Sequence, residues 1–539
     1  MSRWEASGRQ HALATPHHLA TEAGARLLAE GGTAVDAAVA AAAVLTVVYP
    51  NQCAVGGDVI ALLAEPGAAP VAVNGSGAAA AAVDVDDVRR RNGGQMPWYG
   101  ADTVTVPGAV SAWWELHRRG GRRPWADVLA PAVVAAEQGV PVAPGLARAL
   151  RSGTGRILAD PGLAEVMAPG GSVLTQGQTL RQPALARSLA AVAASGPTVL
   201  YDGEVGASLV ATLRSLGSAL TLDDLRRHVC EVTEPLGRAW ATTGERWLVA
   251  PPNSQGLVLL QILGALDRAA DADALGADAD LLTALFGVTA AERDATLADP
   301  RVAAVDADAA LSDATLDRLL QAARARVDDA GAPGPTAAPG SSAGPSGDTV
   351  AVVAADAEGR YVSLIESVYL SFGSGILDPG SGILLHDRGA CFRLDPRSPN
   401  VLRGGARPAH TLMPVLVERD GAVVGAHGTR GGEAQPQIHA QVALQLAAGA
   451  GVGAAVARPR WVLGPADDES TVDDVLAEED LPAQTRSSLA TVAAATGSPR
   501  LHTLPPHDDE GGHINVVRGF AGMLTAGSDP RSDGSALAG

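Results

Sequence analysis

The sequence contains no lysine: all 40 basic residues are arginine, set against 59 acidic ones for a formal charge of -19. Lysine Schiff-base chemistry is therefore excluded. A chain this acidic also lacks the basic footprint that phosphate-backbone binding needs, so nucleic acid is not an expected partner. Only three cysteines occur, Cys53, Cys230 and Cys391, with no CxxC pair. They cannot form a disulfide framework or a thiol redox motif, and a reducing compartment follows as the expectation. Aromatic residues make up 3% of the chain, so the 47% hydrophobic content rests largely on alanine and other aliphatic residues. The longest apolar run, Ala37 to Tyr49, is shorter than the 18 to 20 residues of a membrane span. Residues 1–16 carry no basic stretch followed by a sustained apolar run, and a cytoplasmic protein without membrane contact is expected.

What is present is a long chain, 539 residues, with 63 glycines and 35 prolines as punctuation. Small-residue periodicity predicts two helices between Ala20 and Val48, broken at Gly31-Gly32, and the second, apolar nearly all round, reads as fully buried. Pro50 ends it, and a glycine-containing loop leads to a strand over Val59–Ala64. Leu and Val at three- and four-residue spacing predict helices within 108–137, 183–194 and 256–268. At 331–347 the chain reads GAPGPTAAPGSSAGPSG, which has nothing to bury and predicts an exposed linker. Two hairpins are predicted after it, one around Asp356–Gly359 and one between Thr411–Val417 and Val423–Ala426 across Asp420-Gly421; helix resumes near 435–446. The whole reads as helices covering antiparallel sheets, with the linker interrupting the chain inside a shared core.

Asp348-Thr349 opens a strand immediately after the linker. A hydroxyl there can attack the preceding carbonyl and cut the chain. Thr349 would then carry a free α-amine of ordinary pKa about 8, able to act as base for its own hydroxyl. Read alone, the same pattern also fits a plain strand-initiating threonine. Gly431-Gly432 likewise fits either two bare N–H donors for an oxyanion or a turn that needs positive φ. The glycine-rich stretch Gly373–Ile383 is not GxGxxG and has no Walker lysine, so it is no phosphate cradle. The 12 histidines show no metal-ligand spacing; solvated or helix-capping roles are expected for most, and no metal.

The order of these segments resembles the γ-glutamyltransferase (γ-glutamyltranspeptidase) family of N-terminal nucleophile hydrolases. The resemblance rests on ATEAGARLLAEGGTAVDAAVA (20–40), VYPNQCAVGGD (48–58), TVPGAV (105–110), APPNSQG (250–256), DTVAVVAADAEG (348–359), FGSGI (372–376), SGILL (381–385), RPAHTLMP (407–414) and TRGGEAQPQ (429–437). It implies an α+β, four-layer αββα sandwich in which a precursor cuts itself between Asp348 and Thr349. A large fragment (1–348) and a small one (349–539) would stay associated as a heterodimer in one core. Thr349 would be the nucleophile, Ser367 a second hydroxyl that orients it, and Gly431 and Gly432 the oxyanion hole. The implied activity is hydrolysis or acyl transfer of γ-glutamyl amides such as glutathione through an acyl-threonine, with water or an amine as acceptor and no cofactor.

At the substrate-binding positions the chain departs from the family. Cys391 stands where an acidic residue typically holds the glutamyl α-amine. Tyr369 and Arg388 replace an Asn and a Gln, and His410-Thr411 replace a pair of serines. The segment PWYGADTVTVPG (97–108) holds no arginine for the α-carboxylate, a role Arg388 would fill bidentately. Cys391 also fits a small buried apolar residue. DTV after the linker (348–350) and GGD in place of a longer glycine run (56–58) are more similar to the acylase-like branch of the family, so glutaryl or cephalosporin-type acylase activity, or action on another non-glutamyl substrate in specialised metabolism, is the alternative. A further alternative is an unprocessed, inactive relative that serves as a binding or scaffold protein.

Overall fold

The computed structural model describes residues 3–328, 347–465, 473–496 and 500–539. The predicted linker lies outside the described residues apart from Gly347. Two seven-stranded sheets, antiparallel throughout, form the centre. One runs in the order Ser535–Ala538, His11–Thr15, Asp348–Asp356, Tyr361–Tyr369, Asp58–Ala64, Val71–Asn74, Glu231–Thr233. The other runs Glu5–Gly8, Met523–Gly527, His513–Phe520, Ala422–Arg430, Val415–Arg419, Glu245–Val249, Leu236–Trp240. Each sheet takes strands from both sides of residue 348.

The sheets bury a thin aliphatic layer between them, with Ile60, Ala351, Val353 and Ile365 from the first meeting Leu248, Leu416 and Val517 from the second. Alternation along Asp348–Asp356 explains this: Ala351 and Val353 face the other sheet, while Val350 and Val352 face helices. On the outer face of the first sheet lie the helices His18–Ala29, Ala34–Val48, Ala109–Gly120 and Trp125–Gln138; on that of the second, Gly256–Asp267, Ala279–Thr296 and Asp313–Asp328. The result is an αββα sandwich.

The buried helix expected from small-residue content is Ala34–Val48, and every one of its side chains is buried. Thr33 and Asp36 close a capping box at its start. Gly31, at φ 85°, makes the break from the preceding helix that a Cβ-bearing residue would resist. The hairpin across Asp420-Gly421 begins later than its apolar pattern suggests, at Val415. The reason is tertiary: Gln255 donates its backbone N–H to the carbonyl of His410 and its side-chain amide to that of Thr411, taking both groups out of ladder pairing. Among the described residues no helix is long and apolar enough to cross a membrane.

Candidate active site

Thr349, the second residue of its strand, sits at an irregularity of the ladder: Asp348 pairs with Tyr369 and Val350 with Glu366, so Thr349 faces Ser367 and Val368 together. Such a bulge re-aims side chains. The Thr349 hydroxyl donates to Ser367 Oγ at 3.3 Å, and Ser367 Oγ donates in turn to the carbonyl oxygen of Asp348 at 2.6 Å. Ser367 also accepts the N–H of Tyr369 at 2.7 Å, which fixes its rotamer. Tyr369 holds φ 78°, a left-handed conformation rare for a bulky residue, and this turns the chain so that its N–H reaches back. A nucleophilic oxygen, a relay hydroxyl and the carbonyl of the preceding peptide bond thus form one hydrogen-bonded chain, with all three residues buried.

Gly431 (φ 148°) and Gly432 (φ 53°) follow the strand Ala422–Arg430. Gly347 packs backbone to backbone on Gly432: a Cβ added to Gly432 would fall 2.9 Å from Gly347 N. A cavity opens beside this contact, lined among others by Tyr369, Arg430, Gly431, Gly432, Asp509 and Glu510. Asp348 is gripped from both sides, Oδ1 by Arg430 Nη2 at 2.7 Å and Nε at 3.1 Å, Oδ2 by Asn51 Nδ2 at 3.3 Å. Burial opposes the charge of Arg430, but Asp509, Asp348 and Glu510 hold it above the ordinary arginine value.

Of the substrate positions read from sequence, Tyr369, Arg388, Cys391 and Thr411 form one cluster. The Arg388 guanidinium stacks 4.3 Å from the Tyr369 ring centre and donates through Nη1 to Thr411 Oγ1 at 3.0 Å, 3.5 Å from Cys391 Sγ. Its Nε and Nη2 are buried without a hydrogen-bond partner. Tyr369 lines the cavity, whereas Arg388 does not. Cys391 is half-buried, and burial pushes its thiol pKa up, against the character of a reactive thiolate.

His410 turns elsewhere. It accepts the N–H of Leu412 through Nδ1 and presents Nε2 to Asp58 Oδ2 at 3.2 Å. Burial and the neighbouring Arg388 lower its pKa to about 3, so it is neutral. Asp58 lies opposite Ser367 on the adjacent strand. Its Oδ2 is also 3.4 Å from His386 Nδ1, and its Oδ1 accepts the N–H groups of Gly77 and Gly108. Burial penalises this carboxylate, but His386 and His410 hold it well below the usual range; burial also opposes the charge of His386, but Asp58 and the Thr105 carbonyl together raise its pKa. The expectation of solvated or capping roles for most histidines meets five exceptions among the 12: His17 caps its helix, but His386, His410, His427, His439 and His513 are buried in the core. Packing between layers, invisible to spacing, decides this.

Sequence reasoning missed Asn51, Asp58 and Arg430 as individual residues, although each lies inside a quoted motif. The available signal was a polar side chain beside a glycine pair, Asp58 after Gly56-Gly57 and Arg430 before Gly431-Gly432. Among the described residues no group of three or more His, Cys, Asp or Glu side chains is placed to hold a metal ion.

Two stacked antiparallel sheets between helical layers, with a hydroxyl residue heading a central strand, define the N-terminal nucleophile hydrolase class. A family model described as γ-glutamyltranspeptidase matches residues 20–539, and the chain belongs to that family of enzymes. It is 35% identical to the oxamate amidohydrolase proenzyme of Klebsiella pneumoniae and 33% identical to the glutathione hydrolase-like YwrD proenzyme of Bacillus subtilis, in both cases over 98% of each chain. The crystal structure of cephalosporin acylase from Bacillus halodurans superposes with a TM-score of 0.87 at 29% identity, covering 100% of this chain and 97% of that one.

Proposed function

We propose that the chain is a self-processing amidohydrolase that cuts its own Asp348–Thr349 bond and then cleaves small-molecule amides through an acyl ester on Thr349. The observation that carries this is the relay from Thr349 Oγ1 through Ser367 Oγ to the Asp348 carbonyl oxygen. Attack of Oγ1 on that carbonyl carbon gives an ester as the peptide nitrogen leaves as an amine; water then releases Asp348. The freed α-amine of Thr349 becomes the base for its own hydroxyl in the second role. Gly431 and Gly432 supply backbone N–H groups to the developing oxyanion, where one donor contributes about 2.7 to 4 kcal/mol. The two fragments stay together because each central sheet is woven from both.

The acylase or amidohydrolase reading is favoured over strict γ-glutamyl recognition. An α-ammonium needs an anion, and Cys391, whose thiol burial keeps neutral, stands at the position where an acidic residue is expected to hold it. The name of the Bacillus subtilis relative keeps γ-glutamyl amides as the rival. Purified protein resolved on a denaturing gel tests the processing step: two bands divided at residue 348 are expected, and one band with Thr349→Ala. A wild type that stays one band without amidase activity would leave the inactive-scaffold reading. Comparing chromogenic γ-glutamyl and glutaryl anilides separates the two acyl classes, and a clear γ-glutamyl preference would overturn the acylase reading.

A further inference from the structure

Before any cut, the Asp348 carbonyl carbon is the acyl carbon that Thr349 must reach, and two carbons, Cα and Cβ, separate it from its own carboxylate at Cγ. That is the skeleton of a succinyl group. The carboxylate does not face solvent: both nitrogens on one edge of Arg430 take Oδ1. Arg430 is buried at 6% exposure and lines the same cavity as Gly431 and Gly432. Its other ties, the Asp509 backbone oxygen at 2.9 Å and Oδ1 at 3.1 Å, both come from Nη1. They leave the Nε–Nη2 edge to Asp348 alone.

We infer that Arg430 is the carboxylate anchor for the acyl group, vacated when Asp348 departs, so that the enzyme acts on monoamides of short dicarboxylic acids of succinyl length. This rests on Thr349 as nucleophile. The chain's own carbonyl and a substrate carbonyl must both come within bonding reach of one Oγ1, so their acyl carbons occupy nearly the same place. Whatever holds the Asp348 side chain then surrounds the substrate's acyl chain. A buried guanidinium edge that loses its partner is costly to leave empty, and a planar carboxylate refills it bidentately. Neither Arg388, outside the cavity wall, nor Arg293, tied to Asp294 and Glu433, offers such an edge to the cavity.

The test uses processed wild-type protein and the 4-nitroanilides of oxalate, succinate, glutarate and butyrate, the last being a succinyl group with methyl in place of carboxylate. Succinyl is expected to exceed butyryl by about ten- to a hundredfold in kcat/KM, mostly through KM, as fits one charged hydrogen-bonded contact. In Arg430→Gln the ratio of succinyl to butyryl kcat/KM is expected to fall to about one. Should Arg430→Gln fail to process, inhibition of wild-type butyryl hydrolysis by succinate but not by butyrate decides instead. Equal succinyl and butyryl turnover in the wild type, or a carboxylate preference that survives Arg430→Gln, would overturn the anchor. An optimum at oxalyl or glutaryl would overturn the assigned length. If the protein processes but hydrolyses none of the four, calorimetric binding of succinate decides, and its absence overturns the inference alone. A single unprocessed band removes the Thr349 reading, and the inference falls with it.

Discussion

Ser367 Oγ lies 2.6 Å from the carbonyl oxygen of Asp348, and the same atom accepts the hydroxyl hydrogen of Thr349. In the proposed cleavage one serine therefore polarises the bond to be cut and receives the attacking group's proton. Ser367→Ala is expected to slow self-cleavage by roughly a hundredfold, the order found when a single oxyanion donor is lost. The band pattern followed over time on a denaturing gel measures it; cleavage at the wild-type rate would remove Ser367 from the step.

Gly432 sits at φ 53° with Gly347 against it, so a methyl group there meets backbone at 2.9 Å. Gly432→Ala combines left-handed strain of about 1 to 2 kcal/mol with displacement of the residue preceding Asp348. Self-cleavage at least about tenfold slower is the expected result. Gly405→Ala is the control: its φ is 77° but nothing lies within 4 Å, so processing should be unchanged.

Asp58 is fully buried and answers four donors or cations, the N–H groups of Gly77 and Gly108 and the rings of His386 and His410. Asp58→Ala leaves the Gly77 N–H and both rings without this acceptor, while Gly108 keeps the Gly57 carbonyl, and a loss of about 3 to 5 kcal/mol is expected from removing one partner of a buried pair. A denaturant midpoint within error of the wild type would contradict this.

Asp387, next to Arg388, accepts the N–H of Leu370 and has its pKa raised to about 7, chiefly by burial. The unfolded value is about 3.9. A group raised on folding contributes stability in full below the unfolded value and loses it as pH rises through the folded one. Between pH 5 and 7 the wild type should therefore lose about 2 kcal/mol relative to Asp387→Asn, whose amide does not titrate. Urea unfolding of both proteins at the two pH values provides the comparison, and parallel curves would refute the raised pKa.

The helical and strand elements near the site were legible because their signals are local. Thr33 and Asp36 are three residues apart, Gly31 marks its own break, and Asp420-Gly421 marks its own turn. The positions of Thr349, Ser367 and Gly431-Gly432 were legible through motif order. Less was legible about what each polar side chain touches. His410 and Thr411 are adjacent in sequence, yet one reaches Asp58 and the other Arg388, because successive side chains leave the backbone in different directions.

By itself the sequence determined the absence of lysine chemistry, the alternation of small-residue helices with apolar strands, and a hydroxyl residue at the start of a central strand. Those are properties of residue type and short-range spacing. Only the tertiary structure decided that Arg430, 82 positions from Asp348, holds its carboxylate, and that Arg388 stands behind Tyr369 rather than in the cavity wall. Such contacts arise where sheet register and layer packing bring distant strand ends together, and no local pattern carries that information.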